Sequence, residues 1–435
     1  MELRDLVKKE DSRELFESKS CKLHEYDECT LIKYPHGVTL DSGEGGWLKY
    51  CRGAVVNDNQ EIVCLPPLRF KEGQPTDTEN YVIQEYLDGT MINVFFNKKW
   101  YISTRSRIGA LCRWHTKKTF RHMFLDIVTG NNGNFDILDE TKSYTFVMIH
   151  QDNRIVQKYN KDEIVLVSVY SKNTKEWENP ENEYNKLKDE YDPWFTLAPE
   201  VAEETINLSN NNVSKAAGYT YINKNNLADR FKLLHPKYPE IKALSGESHV
   251  PIFNYIENRR NGKISEYLRY FPENRRIYNR FKHKIHDFTQ LLYDTYGVVF
   301  KEKRCTLKEV PFSMKPLLYE IHGIYLDTKS PTGFSNVMEY INNLPTARMV
   351  FVLTKFDKDM HEYLSSKENE NEKENDMEHL IKNLDSDTIT DIISKMNSDE
   401  NVESIVTSAV HDIIGSIEND PAVDEKNITE VIEQP

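Results

Sequence analysis

Two kinds of hydrophobic pattern follow each other along the chain. Between about residues 47 and 234, short runs of β-branched and aromatic residues alternate with turns rich in Asn, Asp and Gly. This alternation is typical of antiparallel strands. From Pro239 to about Lys355, apolar residues recur at three- and four-residue steps, which is the helical period. We therefore predict an α+β fold, in which a domain of antiparallel sheets with flanking helices precedes a helical domain.

The central stretch, residues 82–108, predicts consecutive hairpins. An apolar run ends at Asp88-Gly89 and resumes through Phe95, and a second turn at Asn97-Lys98 leads into a further run. Asp-Gly pairs favour tight hairpin turns in which the glycine has a positive φ. We predict further hairpins and helices elsewhere in the first domain. The hairpins are 47–56 with 61–65 and 218–222 with 230–234, the long strands are 144–149 and 163–170, a short strand ends near Val156, and the helices are 1–20 and 113–128.

Charge sets the end of the chain apart from the rest. Residues 357–435 hold 22 acidic and 6 basic residues, a net charge of −16, whereas the whole chain of 435 residues has −14. The preceding 356 residues are therefore nearly neutral, and their apolar content is sufficient for a buried core. We predict three parts: 1–240, 241–356, and an acidic, partly disordered tail, 357–435, whose short amphipathic helices at 377–417 suit a protein partner.

The cysteines and the N-terminus bear on location and metal binding. The six cysteines include no Cys-x-x-Cys pair, so we expect reduced thiols in a cytoplasmic protein. We expect no membrane partner, because no run of about eighteen apolar residues occurs and the N-terminus is charged throughout. The group Cys21, His24, Cys29 and His36 lacks the spacing of a tetrahedral zinc site, and we predict no metal site there.

Short motifs follow one another between residues 40 and 240. They are Arg52-Gly53, Arg69-Phe70, Leu87-Asp88-Gly89-Thr90, Ser103-Thr104-Arg105-Ser106, Phe146 to Val156, Ala217 to Ile222, and Arg230 to Leu234. Their order and spacing resemble the phage-type RNA ligase 1 family of covalent nucleotidyltransferases. The resemblance implies a ligase-type nucleotidyltransferase domain that uses ATP and Mg²⁺. The nucleotide- or RNA-binding residues it implies are Arg52, Gly53, Arg69, Asp88, Gly89, Arg105, Asn153, Arg154 and Lys232.

Four positions depart from the family pattern. Tyr86 stands at the nucleophilic lysine, and Val147, Ala217 and Leu234 replace two glutamates and a second lysine. A phenol, with a pKa near 10, is a poor substitute for an activated amine. The two glutamates would have held a divalent cation and the nucleotide, so their loss removes Lewis-acid assistance. We expect a catalytically inactive protein that binds RNA ends or structured RNA, with no certain cofactor.

Two other functions are compatible with these residues. The chain could be an active ATP-dependent RNA ligase in strand joining or RNA repair, with Tyr86, or Lys98 or Lys99 of the next turn, as an unusual nucleophile. It could instead be an assembly factor that acts through its tail. The motif residues also have purely structural interpretations: Asp88 and Gly89 as a turn, Arg154 as a paired strand-edge residue, and Tyr86 as a side chain that fills an emptied pocket.

A basic segment in the helical domain is the strongest candidate for a second RNA-binding surface. Residues 259–284 hold nine Lys and Arg against two Glu, interleaved with aromatic residues. Arginine contacts to phosphate with aromatic stacking are typical of RNA recognition. The alternative is a solvated helix face whose aromatic residues belong to the core. The patch comprises Arg259, Arg260, Lys263, Arg269, Arg275, Arg276, Arg280, Lys282 and Lys284, with Tyr267, Tyr270, Phe271, Tyr278 and Phe281 between them.

The first prediction concerns covalent chemistry. Incubation with radiolabelled ATP and Mg²⁺, followed by a denaturing gel, should show no protein–AMP adduct, and Tyr86→Lys alone should not restore it. Each missing electrostatic group costs on the order of 10²–10³ in rate, and Val147 and Ala217 would still lack carboxylates in that variant. A magnesium-dependent adduct in the wild type that disappears in Tyr86→Phe would refute the inactive assignment.

Overall fold

The structure is a computed structural model in two compact units, one ending at Ser245 and the other beginning at Gly246. It describes residues 3–368 except 10, 36, 39–45, 115, 117, 207, 209–216, 247, 309 and 312, with side chains described to residue 358. The predicted tail helices at 377–417 lie outside the described residues. Within the described chain, no helix is long and apolar enough to cross a membrane.

The first unit contains three sheets and several helices. Its strands are β1 (Lys22–Tyr26), β2 (Cys29–Lys33), β3 (Arg52–Asn57), β4 (Ile62–Cys64), β5 (Lys71–Glu72), β6 (Tyr81–Glu85), β7 (Thr90–Asn97), β8 (Lys99–Thr104), β9 (Lys142–Ile149), β10 (Glu163–Ser171), β11 (Glu176–Glu178), β12 (Thr196–Leu197), β13 (Gly218–Asn223) and β14 (Arg230–Leu234). Its helices are α1 (Leu3–Leu6), α2 (Ser12–Ser18), α3 (Phe120–Gly130), α4 (Pro180–Glu190) and α5 (Lys237–Ser245).

Strand pairing is mostly antiparallel. The first sheet has the order β1-β2-β3-β4 and the second β5-β14-β13-β6, while the third runs β11-β10-β9-β7-β8 with β12 beside β10. The predicted hairpins β3/β4, β7/β8 and β13/β14 form antiparallel ladders, and the two predicted long strands, β9 and β10, also pair with each other. The β7/β8 turn places Lys98 at a φ of 65°, in the left-handed region that tight hairpins require. The mixed α+β class predicted from the sequence is thus confirmed.

The prediction of a hairpin at Asp88-Gly89 is wrong. Strand β6 pairs with β13, whereas β7 pairs with β8 and β9, so residues 86–89 carry the chain from the second sheet to the third. Gly89 is not in the positive-φ region. Its lack of a side chain serves close approach instead, since a Cβ there would lie 2.5 Å from the carbonyl oxygen of Met148 and 2.6 Å from Cγ1 of Val147.

Three other local predictions need correction. The N-terminal helix is broken into α1 and α2. Helix α3 begins at Phe120 and not at 113, because the Thr119 side chain caps it by accepting a bond from the His122 amide at 3.1 Å. A 3₁₀ turn at Gln151–Asn153 leads into irregular chain and not into a strand. The backbone amide of Val156 donates to the Asp88 carboxylate at 2.8 Å and is therefore not available to a sheet.

The main core of the first unit lies between the third sheet and α3. Phe124 of α3 meets Trp194 edge-on at 5.9 Å, and Trp194 in turn lies 5.2 Å from the ring of Phe146 on β9. Phe124, Phe146 and Trp194 are all buried. Aromatic pairs of this kind contribute about 0.5–1.5 kcal/mol each beyond their buried area. This packing makes the third sheet a rigid support for the strand ends and loops on its other side.

The second unit is helical, as predicted. It contains α6 (Pro251–Arg260), α7 (Ile264–Tyr270), α8 (Arg275–Tyr296), α9 (Lys315–Thr328), α10 (Phe334–Asn343) and α11 (Thr346–Glu368). Helix α8 follows the predicted period, with Ile285, Phe288 and Leu292 buried on one face. Helix α11 continues to Glu368, and Phe356 within it is buried. The first part of the stretch assigned to the tail, 357–368, is therefore helical.

The second prediction follows from the close approach at Gly89. Gly89→Ala should lower the free energy of unfolding by about 1–3 kcal/mol, because the added methyl group must displace strand β9. Gly130→Ala is the matched control, since a Cβ at this last residue of α3 would meet nothing within 4 Å. Urea denaturation followed by tryptophan fluorescence compares the two. Equal midpoints would contradict the role assigned to Gly89.

Candidate functional site

A cavity of about 670 Å³ in the first unit is lined by residues from all three sheets. Its described lining contains eight Lys and Arg side chains and a single carboxylate, that of Glu85. Such an excess of one charge attracts anions and opposes binding of cations. The cationic lining residues are Lys22, Lys33, Arg52, Arg69, Arg105, Arg230, Lys232 and Lys242.

Arg52 and Arg105 reach the cavity because two segments of backbone pack closely. Gly53 has a φ of 89°, and a Cβ on it would lie 2.9 Å from Cα of Arg105, so only glycine fits between β3 and the loop after β8. Nη1 of Arg52 donates to the carbonyl oxygen of Pro67 at 3.1 Å. Burial holds the pKa of the Arg52 guanidinium below its ordinary value.

Arg230 is the most deeply buried cation of the lining. It is only 3% exposed, and its guanidinium carbon lies 4.2 Å from the centre of the Phe70 ring. Burial, and secondly the charge of Arg52, lowers the pKa of Arg230 to about 9. It is still protonated at neutral pH, so a full positive charge is held in a site of low polarity.

The motif comparison did not select Arg230, Lys22, Lys33 or Lys242. A sequence signal did exist for Arg230, since strand alternation places it on the same face of β14 as Lys232. Lys33 pairs with Arg52 in the register of β2 and β3, and that register is a tertiary fact. Burial, and secondly the charge of Arg105, lowers the pKa of Lys33, whose Nζ donates to Ser106 Oγ at 2.9 Å.

The sequence-predicted cations Arg52, Arg69, Arg105 and Lys232 all line this cavity. Lys232 also forms an ion pair with Glu72 at 3.0 Å. Of the two predicted glycines, Gly89 lines the cavity, whereas Gly53 supports it from behind through its contact with Arg105. Sequence order had separated these residues by up to 180 positions, and the sheets bring them to one cavity.

Asp88, Asn153 and Arg154 do not line the cavity. One oxygen of Asp88 accepts from the amides of Val156 at 2.8 Å and Gln157 at 2.7 Å, and the other accepts from the hydroxyl of Tyr238 at 2.5 Å. Asn153 donates its side-chain amide to Thr90 at 2.7 Å. Arg154 donates from Nε to the carbonyl of Val156 at 3.1 Å. These contacts fasten the chain around 150–157 to the connection between the sheets.

Tyr86 lies in the cavity wall at the position of the family's nucleophile. Burial, and secondly the charge of Asp88, raises the pKa of its phenol, so the hydroxyl is neutral at physiological pH. Its ring meets the Tyr238 ring edge-on, with centroids 5.6 Å apart. Lys98 and Lys99, the other candidate nucleophiles, are exposed on the β7/β8 turn, pair with Glu28 and Asp27, and do not line the cavity.

The other substituted motif positions are apolar in their surroundings. Val147 on β9 lines the cavity together with Leu87, Val167 and Ala198. Ala217 is fully buried, and Leu234 on β14 is half-buried and not part of the lining. The cavity thus has an apolar wall where the family motif has a carboxylate.

The side chains present do not fit a catalytic divalent cation. Glu85 is the one carboxylate in the described lining, and the part of the chain that the structure describes holds no group of three or more His, Cys, Asp or Glu placed for a metal ion. Hard cations such as Mg²⁺ prefer carboxylate and carbonyl oxygens. Of the zinc candidates considered above, Cys21 and Cys29 are buried thiols, and His36 lies outside the described residues.

Some cations of the basic segment in the second unit are exposed, and others form contacts within the unit. Arg269, Arg275, Arg276, Arg280 and Lys282 are exposed. By contrast, Arg260 donates to the backbone oxygens of Asn342 and Leu344 at the C-terminal end of α10. Arg259 contacts the sulfur of Met338, and Lys284 pairs with Asp357.

The prediction that the interleaved aromatic residues stack on RNA bases is wrong for three of them. Tyr267, Phe271 and Tyr278 are buried, and the rings of Tyr267 and Tyr278 stack on each other with centroids 4.5 Å apart. They belong to the core between α7 and α8. The exposed arginines therefore form a cationic surface in which these three rings are not available for stacking.

Comparison with known proteins gives a partial likeness. No family model matches the chain. An RNA ligase of Rhodothermus phage RM378 is 24% identical over 179 residues, a match that covers 36% of this chain and 37% of that protein. A variant of the Naegleria gruberi RNA ligase solved with ATP and Mn has a TM-score of 0.30 and 13% identity, over 37% of this chain and 51% of the other. Another variant of the same ligase, solved with AMP and Mn, has a TM-score of 0.30 and 14% identity, again over 37% of this chain and 51% of the other. The chain thus spans little more than a third of the phage protein, and over that segment it is RNA ligase-like in sequence.

Proposed function

We propose that this protein is a non-catalytic member of the RNA ligase group that binds phosphorylated RNA ends. The observation that carries the proposal is the cavity, with eight cationic side chains and one carboxylate in its described lining. RNA is proposed because a phage RNA ligase is 24% identical to this chain over 179 residues. Phosphate groups are the anions that such a protein meets, and arginine binds them through paired N–H donors.

The cavity also has a place for a nucleobase. Leu87, Val147, Val167 and Ala198 provide apolar surface, whereas most of the cations come from the first and second sheets. A terminal nucleotide likewise has an apolar part, the face of its base, and a charged part, its phosphate. The substitution that removes the family's carboxylate therefore supplies a surface against which a base can pack.

Several observations speak against the catalytic alternative. Tyr86 is half-buried, and both desolvation and the charge of Asp88 raise the pKa of its phenol, so the hydroxyl is neutral. The described residues of the cavity offer no carboxylate cluster for a divalent cation. Covalent nucleotidyl transfer needs an ionised or deprotonated nucleophile and neutralisation of charge on the phosphates. The chain can hold the phosphate charge, but its nucleophile position is not activated.

A second surface extends the proposed RNA contact. Arg275, Arg276 and Arg280 are exposed at the start of α8 and form a shallow depression with Pro272 and His283. Arginines arranged along one helix face bind successive phosphates without sequence preference.

The six cysteines are unpaired thiols, which supports the proposed cytoplasmic location.

The third prediction tests RNA binding by the exposed arginines. Fluorescence anisotropy with a 5′-phosphorylated single-stranded RNA should give affinity that falls steeply with salt. Changing Arg275, Arg276 and Arg280 to Ala should weaken binding and reduce the slope of log K against log salt by about 2, because each phosphate contact contributes about 0.7.

The matched control removes three exposed lysines of the first unit outside the cavity, Lys175, Lys186 and Lys188, with the same change in net charge. It should leave the slope unchanged. Equal loss in both triple variants would show that net charge alone governs the attraction. Absence of RNA binding at low salt would overturn the proposed function itself.

The fourth prediction concerns the acidic tail. Residues 369–435 carry 18 acidic and 4 basic residues, and a polyanion tethered to the protein is present at high effective concentration. Removal of 369–435 should tighten RNA binding, most visibly at low salt, where screening is weak. The truncation is placed after α11 so that this helix stays intact. Unchanged affinity at low salt would show that the tail serves a protein partner and not as a competitor of RNA.

A further inference from the structure

Two arginines in the cavity, the buried Arg230 and the half-buried Arg52, lack the carboxylate partner that a charge withdrawn from water normally requires. Arg52 and Arg230 form no ion pair with a described carboxylate, and the Nε atom of each is buried without a hydrogen-bond acceptor among the described residues. A buried charge is stable in a folded protein when it is paired and hydrogen-bonded. Here two like charges lie near enough for Arg52 to oppose protonation of Arg230. Without an anionic partner, the two guanidinium groups are therefore held close together at an electrostatic cost.

The two side chains are nevertheless held in fixed positions. The Phe70 ring covers the guanidinium of Arg230 at 4.2 Å, and Arg52 is oriented by the carbonyl of Pro67 at 3.1 Å and the sulfur of Met91 at 3.5 Å. An aromatic face and a carbonyl oxygen orient an arginine without neutralising its charge. The donors that remain on each guanidinium are thus preorganised for an anion from the cavity.

We propose that Arg52 and Arg230 form a phosphate-binding site that works without a divalent cation. The proposal rests on the proposed function and specifies how the same cavity holds its ligand. The lining has the positive charge that phosphate groups require, but its described residues lack the carboxylates that would hold a metal ion. The two guanidinium groups supply the positive charge that a metal ion would otherwise bring to the phosphates.

The geometry fits a phosphate or short oligophosphate group better than a carboxylate. Two forks of N–H donors, with Lys33, Arg105 and Lys232 on the same cavity, provide more positive charge than one carboxylate neutralises. Phosphate oxygens accept paired bonds from guanidinium groups, and a triphosphate carries several negative charges. Two sources share this chemistry: a free nucleotide and the phosphorylated end of an RNA.

The test measures binding of tripolyphosphate to the full-length protein by isothermal titration calorimetry, in EDTA and in Mg²⁺. We expect binding in EDTA that is at least as tight as in Mg²⁺, because the metal ion competes with the arginines for the phosphate oxygens. Arg230→Met and Arg52→Met should each weaken binding tenfold or more. Arg121→Met is the matched control, since Arg121 is also a partly buried arginine with a lowered pKa but does not line the cavity.

Thermal unfolding of the unliganded variants gives an independent readout. Because the positive charge of Arg230 is not compensated in the empty cavity, Arg230→Met should unfold at the same temperature as the wild type or higher, while losing the upward shift that tripolyphosphate produces. A lower unfolding temperature for Arg230→Met would show that the guanidinium is satisfied in the empty protein. That result, binding that needs Mg²⁺, or unchanged binding in Arg230→Met would each overturn the proposal.

Further arms separate the two ligand sources and the two proposals. Titrations with ATP and with matched RNAs bearing a 5′-phosphate or a 5′-hydroxyl show whether the site prefers a free nucleotide or an RNA end. Metal-independent binding of ATP and tripolyphosphate without RNA binding would leave the arginine site standing and remove the proposed function. RNA binding that is unchanged in both Arg52→Met and Arg230→Met would leave the proposed function standing and remove the arginine site.

Discussion

The carboxylate of Asp88 joins three parts of the first unit on which the cavity depends. It accepts from the backbone at Val156 and Gln157 and from the hydroxyl of Tyr238 at the start of α5, while its own amide donates to Tyr159 at 3.1 Å. Hydrogen bonds to a buried ionised group contribute about 1.5–3 kcal/mol each. They fix the connection that carries the chain from the second sheet to the third. Tyr86 and Gly89, on either side of Asp88, are held in the cavity wall as a result.

The cavity on this connection combines a cationic lining with a neutral phenol and an apolar wall. The positive charges that would orient phosphates persist at Arg52, Arg105 and Lys232, and Arg230 adds to them. Tyr86 brings a half-buried phenol whose pKa is raised by burial, and Val147 brings an apolar surface. Binding and chemistry have different requirements, since electrostatic attraction tolerates varied cations whereas covalent transfer needs one activated nucleophile. The cationic lining is therefore suited to binding an anion.

In the second unit the same sequence pattern serves two purposes. Aromatic residues between the cations form the core of α7 and α8, where Tyr267 stacks on Tyr278. The arginines of the same turns point outward, so Arg275, Arg276 and Arg280 are exposed. A helix requires such a division, because residues three and four apart share a face while their neighbours turn away. The charged and aromatic residues that are close together in the sequence therefore lie on two different faces of the helices and do not form one surface.

The sequence by itself determined the local features of the protein. The pattern of apolar and polar residues was sufficient for the strands β9 and β10, for the hairpin β13/β14 and for the period of α8, because these patterns arise within one segment or between adjacent ones. The ordered motifs pointed to Arg52, Arg105 and Lys232, because each of these residues belongs to a short motif that can be recognised from its immediate neighbours in the sequence.

Only the tertiary structure decided how distant segments meet. Asp88-Gly89 looks like a hairpin in sequence, but its flanking strands belong to different sheets, since β6 pairs with β13 whereas β7 pairs with β8 and β9. The burial of Arg230 against Phe70 and its closeness to Arg52 depend on the packing of separate sheets. Desolvation and the field of neighbouring charges are properties of that packing, so no local pattern reveals which of several arginines is left buried without an anion.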